Sequence, residues 1–119
     1  MPTITTLKKR SDFLRLKRGG KFVTPYFIIR HAPVLAEAGV AANASRVGYT
    51  VTTKCGNAVV RNRIKRRLRA LVRELFPAQA KAGYDYVFIA LDKAKPNAAD
   101  APIADLRAAM QRALTGMHR

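Results

Sequence analysis

Acidic residues are scarce: seven Asp and Glu stand against 23 Lys and Arg, a formal charge of +16 on 119 residues. Self-repulsion on that scale opposes compaction, so a polyanionic partner is expected. Nucleic acid is the foremost such partner and an anionic membrane surface the second. Cysteine is nearly absent. The single Cys55 excludes an internal disulfide and a Cys-built zinc site, and fits a reducing cytoplasm. No apolar run approaches the roughly 18 residues that a membrane-spanning helix needs. The opening MPTITTLKKR has no long apolar stretch behind its charges and does not read as a secretory signal. The two histidines, His31 and His118, and the two glutamates, Glu37 and Glu74, form no metal-ligand spacing, carboxylate pair or nucleophile–base arrangement. A glycine-rich phosphate loop of the NTPase type is missing too. No catalytic residue and no metal ligand of the chain's own is expected.

What is there belongs to a folded protein. Hydrophobic residues make up 49% of the chain, too many for a disordered polycation, and the length suits one domain spanning residues 1–119. SDFLRLKRG (11–19) reads as a short helix, with Ser11 and Asp12 as N-cap types and Gly19-Gly20 as its end. KFVTPYFIIRHAPV (21–34) is β-branched and aromatic, hence strand, with Pro25 making its first half an edge or a lead-in. Residues 35–45 read as a loop. RVGYTVTTK (46–54) alternates like a strand, Gly56-Asn57 breaks it, and Asn57 is placed to cap a helix over about 58–75, stopped at Phe76-Pro77. A continuous apolar run (82–92) suits a strand covered on both faces, and Ile103, Leu106, Met110 and Leu114 recur at helical spacing over 103–117. Together these predict an α+β sandwich, with helix, two or three strands, helix, strand and helix in order and the helices packed on a small sheet.

The second of these helices is the informative one. At about 100° per residue, Val60, Ile64, Leu68, Leu71, Val72 and Leu75 share an arc of about 120°. Residues 54–73 carry eight positive charges and no negative one. An ordinary solvated helix mixes signs at i±4; this one does not, and it prefers Arg, whose planar fork suits phosphate and stacks on bases. Arg61 falls at the edge of the apolar arc, where a plain surface charge is out of place. A second cationic cluster, Lys8, Lys9, Arg10, Arg15, Lys17, Arg18 and Lys21, is interleaved with or followed by Phe13, Tyr26 and Phe27. Aromatics among cations suit unstacked single-stranded RNA, although core packing explains Phe13 and Phe27 equally well. An RNA-binding protein leads this reading. A compact helical DNA reader fits the strand-rich surroundings poorly.

The segment GNAVVRNRIKRRLR, with Arg61-Asn62-Arg63 at its centre, resembles the RNR motif of the protein subunit of bacterial ribonuclease P. LKKRSDFLRLKRGG, RVGYTVTTKCGNAV and YDYVFIA resemble that family's opening helix, the strand before its basic helix and its last strand, so the likeness covers nearly the whole chain. It implies the order α-β-β-β-α-β-α and a left-handed crossover carrying the basic helix, an uncommon hand. It also implies a role: helping a catalytic RNA, which positions Mg2+, to remove the 5′ leader from precursor tRNA in the cytoplasm. The implied partners are that RNA and the leader, with no membrane and no obligate protein partner. Lys54, Asn57, Arg61, Asn62, Arg63, Lys65, Arg66, Arg67 and Arg69 match the RNA-facing set. Phe13, Lys17 and Arg30 match positions of the leader cleft, and Phe27, an aromatic following the same cationic cluster, is placed with them. Relatives often carry aromatics where Lys17 and Arg30 stand, two lysines where Thr53-Lys54 stands, and basic residues where Leu91-Asp92 stands. A ribosomal or other structural RNA-binding protein is the alternative.

Overall fold

The computed structural model describes residues 3–7, 9–35, 38–40 and 44–117, so Lys8, Glu37 and His118 lie outside the described residues. The elements are β1 (Thr3–Thr6), α1 (Arg10–Leu16), β2 (Gly20–Val23), β3 (Phe27–Pro33), β4 (Ala44–Thr50), a 3-10 turn (Thr53–Cys55), α2 (Ala58–Gln79), β5 (Tyr84–Ala90) and α3 (Ile103–Met117). The five strands form one mixed sheet in the order β1-β4-β5-β3-β2. β4 pairs in parallel with both β1 and β5, whereas β3 pairs antiparallel with β5 and β2. This is the expected α+β class and element order, with one strand added at the front.

That strand, β1, is the element the sequence pattern did not announce. Four residues are too few to show alternation, and two lysines follow Leu7 in the sequence; its extended state comes from pairing with the edge of β4. Pro25 sits in the hairpin turn between β2 and β3. There the Thr24 hydroxyl donates to the Phe27 carbonyl at 2.8 Å and accepts from the Phe27 N–H at 3.0 Å. β2 is accordingly an edge strand. Two helix ends differ from expectation. α1 is capped at Lys9 with no side-chain cap, because Ser11 and Asp12 already lie in its first turn and Asp12 turns to an ion pair. α2 runs through Pro77 to Gln79: Phe76 is 1% exposed, wedged on the sheet, and its carbonyl accepts the Ala80 N–H at 3.0 Å, holding one more turn.

The two faces of the sheet are unequally covered. On one, α2 and α3 bury Ile64, Leu68, Leu106, Met110 and Leu114 against Phe27, Ile29, Tyr86 and Phe88. Each such side chain contributes about 1.5–3 kcal/mol on burial. On the other, α1 has only seven residues and closes a small cluster of Leu7, Leu16 and Val87. Ile28 and Ile89 remain half-buried there, and Val23 is 56% exposed. Under α1, Asp85 is fully buried and its register partner Arg46 grips it through Nε at 2.8 Å and Nη2 at 2.7 Å. Arg15 pairs with the same carboxylate, and Asp12 faces Arg46 Nη1 at 3.6 Å. The Asp85 hydrogen bond, against the effect of burial, raises the Arg46 pKa above its ordinary value.

Two measurements check this packing. Asp85→Ala leaves two half-buried guanidinium groups with only Asp12 to pair with among the described residues. Removing one partner of a buried pair costs about 3–5 kcal/mol; urea unfolding should show a loss at or below that size. Burial also pushes Tyr49 and Tyr86 up to about 12, opposed at Tyr49 by Arg69 and Arg73 and at Tyr86 by its backbone hydrogen bond to Lys81. A tyrosine in the unfolded chain titrates near 10, so between pH 10 and 12 the unfolded state holds fewer protons. Stability should therefore be intact below pH 10 and fall as pH rises to 12. Tyr49→Phe and Tyr86→Phe should each remove part of that fall.

Candidate nucleic-acid interface

α2 begins as its sequence requires. Gly56 adopts φ of 144°, a conformation open to glycine, and Asn57 caps the helix by accepting the Val60 N–H at 3.0 Å on Oδ1. From there the buried arc of Ile64, Leu68, Leu71, Val72 and Leu75 fixes where every cation points. Successive residues advance by about 100°, which sorts the basic residues onto two flanks.

One flank carries Arg61, Lys65, Arg69, Asn62, Arg73 and Arg66, in that angular order away from the apolar arc. Arg61 and Lys65 are half-buried at its margin, and the others are exposed. Arg61 Nε is buried and meets no acceptor among the described residues, in keeping with its place beside the core. Arg69 lies over the Tyr49 ring at 5.7 Å from the centroid, which holds its guanidinium in place without neutralising it. Lys54 and Asn57 are exposed in the turn just before the helix.

The other flank carries Arg63, Arg67 and Glu74, and it is tied to its own protein. Arg63 Nε donates to the Ala99 carbonyl at 2.7 Å. Arg67 donates to the Ala98 carbonyl at 2.8 Å and the Ala101 carbonyl at 2.6 Å. Glu74 accepts two hydrogen bonds from Arg107 of α3, at 2.6 and 3.2 Å. Burial and the neighbouring charge of Arg63 lower the Arg67 pKa, and Asp100 opposes them. Among the described residues no ion pair involves Lys54, Arg61, Arg63, Lys65, Arg66, Arg67, Arg69 or Arg73. The cations of the acid-free stretch thus find no ion-pair partner among the described residues, and Asp100 acts on Arg67 only from a distance.

The expected RNA-facing residues are therefore not one group. Arg61, Asn62, Lys65, Arg66 and Arg69 come together with no acid paired to any of them among the described residues, and Arg73 joins them one turn on. Arg63 and Arg67 stand apart as a clamp on the 98–101 loop. Of the expected cleft residues, Phe13, Lys17 and Arg30 lie on the α1 side. The Phe13 ring rests where Gly48 has no side chain: a Cβ there would meet Phe13 Cζ at 2.6 Å. Arg30 Nη1 donates to the Lys17 carbonyl at 2.9 Å, joining β3 to the end of α1. Phe27 is the exception. It is 0% exposed, stacked on Phe88 at 5.5 Å beneath α2, and presents no surface to the cleft. Alternation along β3 puts Phe27 and Arg30 on opposite faces, a signal already legible in their odd spacing. The Asp12–Arg15–Arg46–Asp85 cluster was not anticipated, although an Asp inside the apolar run YDYVFIA implies a buried cation opposite it.

The ribonuclease P family profile matches residues 1–117. The chain belongs to the ribonuclease P protein family. The ribonuclease P protein component of Paramagnetospirillum magneticum is 44% identical over 109 residues, covering 89% of this chain and 80% of that one. That of Gluconacetobacter diazotrophicus is 38% identical over 108 residues, covering 90% and 89%. Among solved structures, the RNase P protein of Thermotoga maritima superposes with a TM-score of 0.78 at 26% identity, covering 96% of this chain and 98% of that one. The RNase P protein of Staphylococcus aureus gives 0.74 at 26% identity, covering 95% and 94%. The chain is a protein component of ribonuclease P, with a role in tRNA processing, and the reading as a ribosomal or other structural RNA-binding protein is not favoured. No described helix is long and apolar enough to cross a membrane.

The clamp makes a distinction between neighbours on α2. Arg67→Ala removes two charged hydrogen bonds to carbonyls, each worth about 1.5–3 kcal/mol in comparable settings. It should speed amide hydrogen exchange across residues 97–101 and lower stability measurably. Arg66→Ala, one residue away on the unpaired flank, should change stability by no more than about 0.5 kcal/mol.

Proposed function

We propose that the unpaired flank of α2, Arg61, Asn62, Lys65, Arg66, Arg69 and Arg73, together with Lys54 and Asn57, docks on the phosphates of the catalytic RNA of ribonuclease P. The observation that carries this reading is the absence of any carboxylate partner for these cations among the described residues. A folded helix that keeps so much unneutralised charge is stabilised by a polyanion, and releasing RNA counterions supplies the affinity. Arg63 contributes through the two outer nitrogens that its Nε bond to Ala99 leaves over, and Arg67, whose outer nitrogens both bind the loop, contributes by holding residues 98–101 in place.

On the opposite face, Phe13, Lys17 and Arg30, with half-buried Ile28 and Ile89, form the cleft that receives the 5′ leader of precursor tRNA. Phe13 offers a stacking surface for one base, and Lys17 and Arg30 attract the leader's phosphates. The protein then works by binding and orientation, while the RNA carries out the phosphodiester hydrolysis. Mg2+ belongs with the RNA in this scheme: Asp12 and Asp85 face guanidinium groups, and among the described residues no three His, Cys, Asp or Glu side chains come together. The complex operates in the cytoplasm.

Reconstitution tests both surfaces. Arg61→Ala combined with Arg66→Ala should weaken binding to the catalytic RNA on the order of tenfold or more, as expected for two charged contacts, and slow cleavage most at low Mg2+. Unchanged RNA affinity and rate with an intact fold would sink the assignment. Phe13→Ala should weaken binding of leader-bearing precursor tRNA by roughly 5- to 150-fold, the loss of one stacked base, and leave the leaderless tRNA unaffected.

A further inference from the structure

The charge cluster beneath α1 is larger than neutrality requires. Arg46 and Asp85 are register partners on β4 and β5, and Arg46 reaches both carboxylate oxygens by itself. That pair is complete within the sheet. Yet α1 adds a second pair to it: Arg15 joins the Asp85 carboxylate, and Asp12 approaches Arg46 at 3.6 Å. Arg15 Nη1 also donates to the Pro33 carbonyl at the end of β3, at 3.0 Å. Two residues of one helical turn thereby key α1 to three strands at once.

α1 needs such a key. Seven residues are too few to be stable as an isolated helix, no side chain caps its start, and it adds only Leu16 and part of Phe13 to the apolar cluster. Phe13 follows Asp12 directly. Arg46 and Gly48 lie two apart on the same face of β4, so the Asp12–Arg46 and Phe13–Gly48 contacts are successive rungs of one strand. A shift of α1 that lengthens the first contact moves the ring off the second. At the far end, the Arg30–Lys17 hydrogen bond fixes the other wall of the cleft to the same helix.

We infer that Asp12 and Arg15 are positioning residues for substrate recognition, holding Phe13 and Lys17 in register with Arg30 through their grip on the Arg46–Asp85 pair. The inference rests on the leader-cleft reading above and adds to it the device that sets the cleft's geometry. Neither residue touches the leader. Their effect passes through Phe13.

The test is a mutant cycle in the reconstituted complex, with precursor tRNA carrying or lacking its leader. Asp12→Ala should weaken binding of the leader-bearing substrate at least fivefold, leave the leaderless one unchanged and leave affinity for the catalytic RNA unchanged. Asp12→Glu should restore most of the loss. In a Phe13→Ala background, Asp12→Ala should have no further effect, because interacting residues are non-additive. Equal losses with and without a leader, or full additivity with Phe13→Ala, would overturn the inference, since both mark general loosening of the fold. If Asp12→Ala unfolds the chain, Arg15→Gln, which leaves the Arg46–Asp85 pair whole, is judged by the same readouts. Should Phe13→Ala itself leave leader affinity unchanged, the cleft reading falls and this inference with it; a Phe13 effect without an Asp12 or Arg15 effect removes this inference alone.

Discussion

The seating of the α2 apolar stripe on the sheet is the contact on which everything else depends. Ile64, Leu68, Leu71, Val72, Leu75 and Phe76 bury against a surface built by Phe27, Tyr86 and Phe88. Because this stripe has one best fit, the helix cannot rotate about its axis without exposing it. The hydrophobic effect is non-directional, but on a helix of fixed periodicity it acquires a direction: it decides which arginines meet solvent and which meet protein. The clamp on the 98–101 loop and the Glu74–Arg107 pair then hold the flank that the apolar seating has turned toward α3. Apolar packing holds the cations in an arrangement that their own repulsion opposes.

Two kinds of arginine result. On the flank toward α3, guanidinium groups donate to backbone carbonyls of the 98–101 loop, and the single acid of α2, Glu74, has its own partner in Arg107. On the flank toward β1 and β4, no acid among the described residues pairs with the cations. The same side-chain type serves as an internal clamp in one case and as an open docking surface in the other, four or fewer positions apart. Beneath α1 the logic is reversed. There two arginines and two aspartates neutralise one another out of water, and what they supply is the placement of a short helix and not attraction for a polyanion.

The fold was legible wherever a period ran long enough to declare itself. α2 and α3 showed their apolar spacing, the run at 82–92 identified a strand covered on both faces, and Asn57 announced its own cap. β1 was not legible, because four residues that pair only with a distant strand leave no local pattern. The end of α2 was misplaced at Pro77 because the local preference of proline was outweighed by the burial of Phe76, which only the tertiary structure reveals. The candidate surfaces followed the same rule. The acid-free character of residues 54–73 is a property of the sequence, but the division of its arginines requires knowing where the 98–101 loop lies. Phe27 was grouped with the cleft by proximity along the chain, and strand alternation puts it on the other face.

The central claim is that the unpaired flank of α2 binds RNA through phosphates. The measurement that meets it most directly is the salt dependence of affinity between the whole protein and the catalytic RNA, for the natural chain and for Arg66→Ala. Each phosphate contact contributes about 0.7–0.9 to the slope of log affinity against log salt. The account predicts a steep negative slope that becomes shallower by about that amount when Arg66 is removed. A slope that is shallow from the start, or one that Arg66→Ala leaves unchanged, would contradict it.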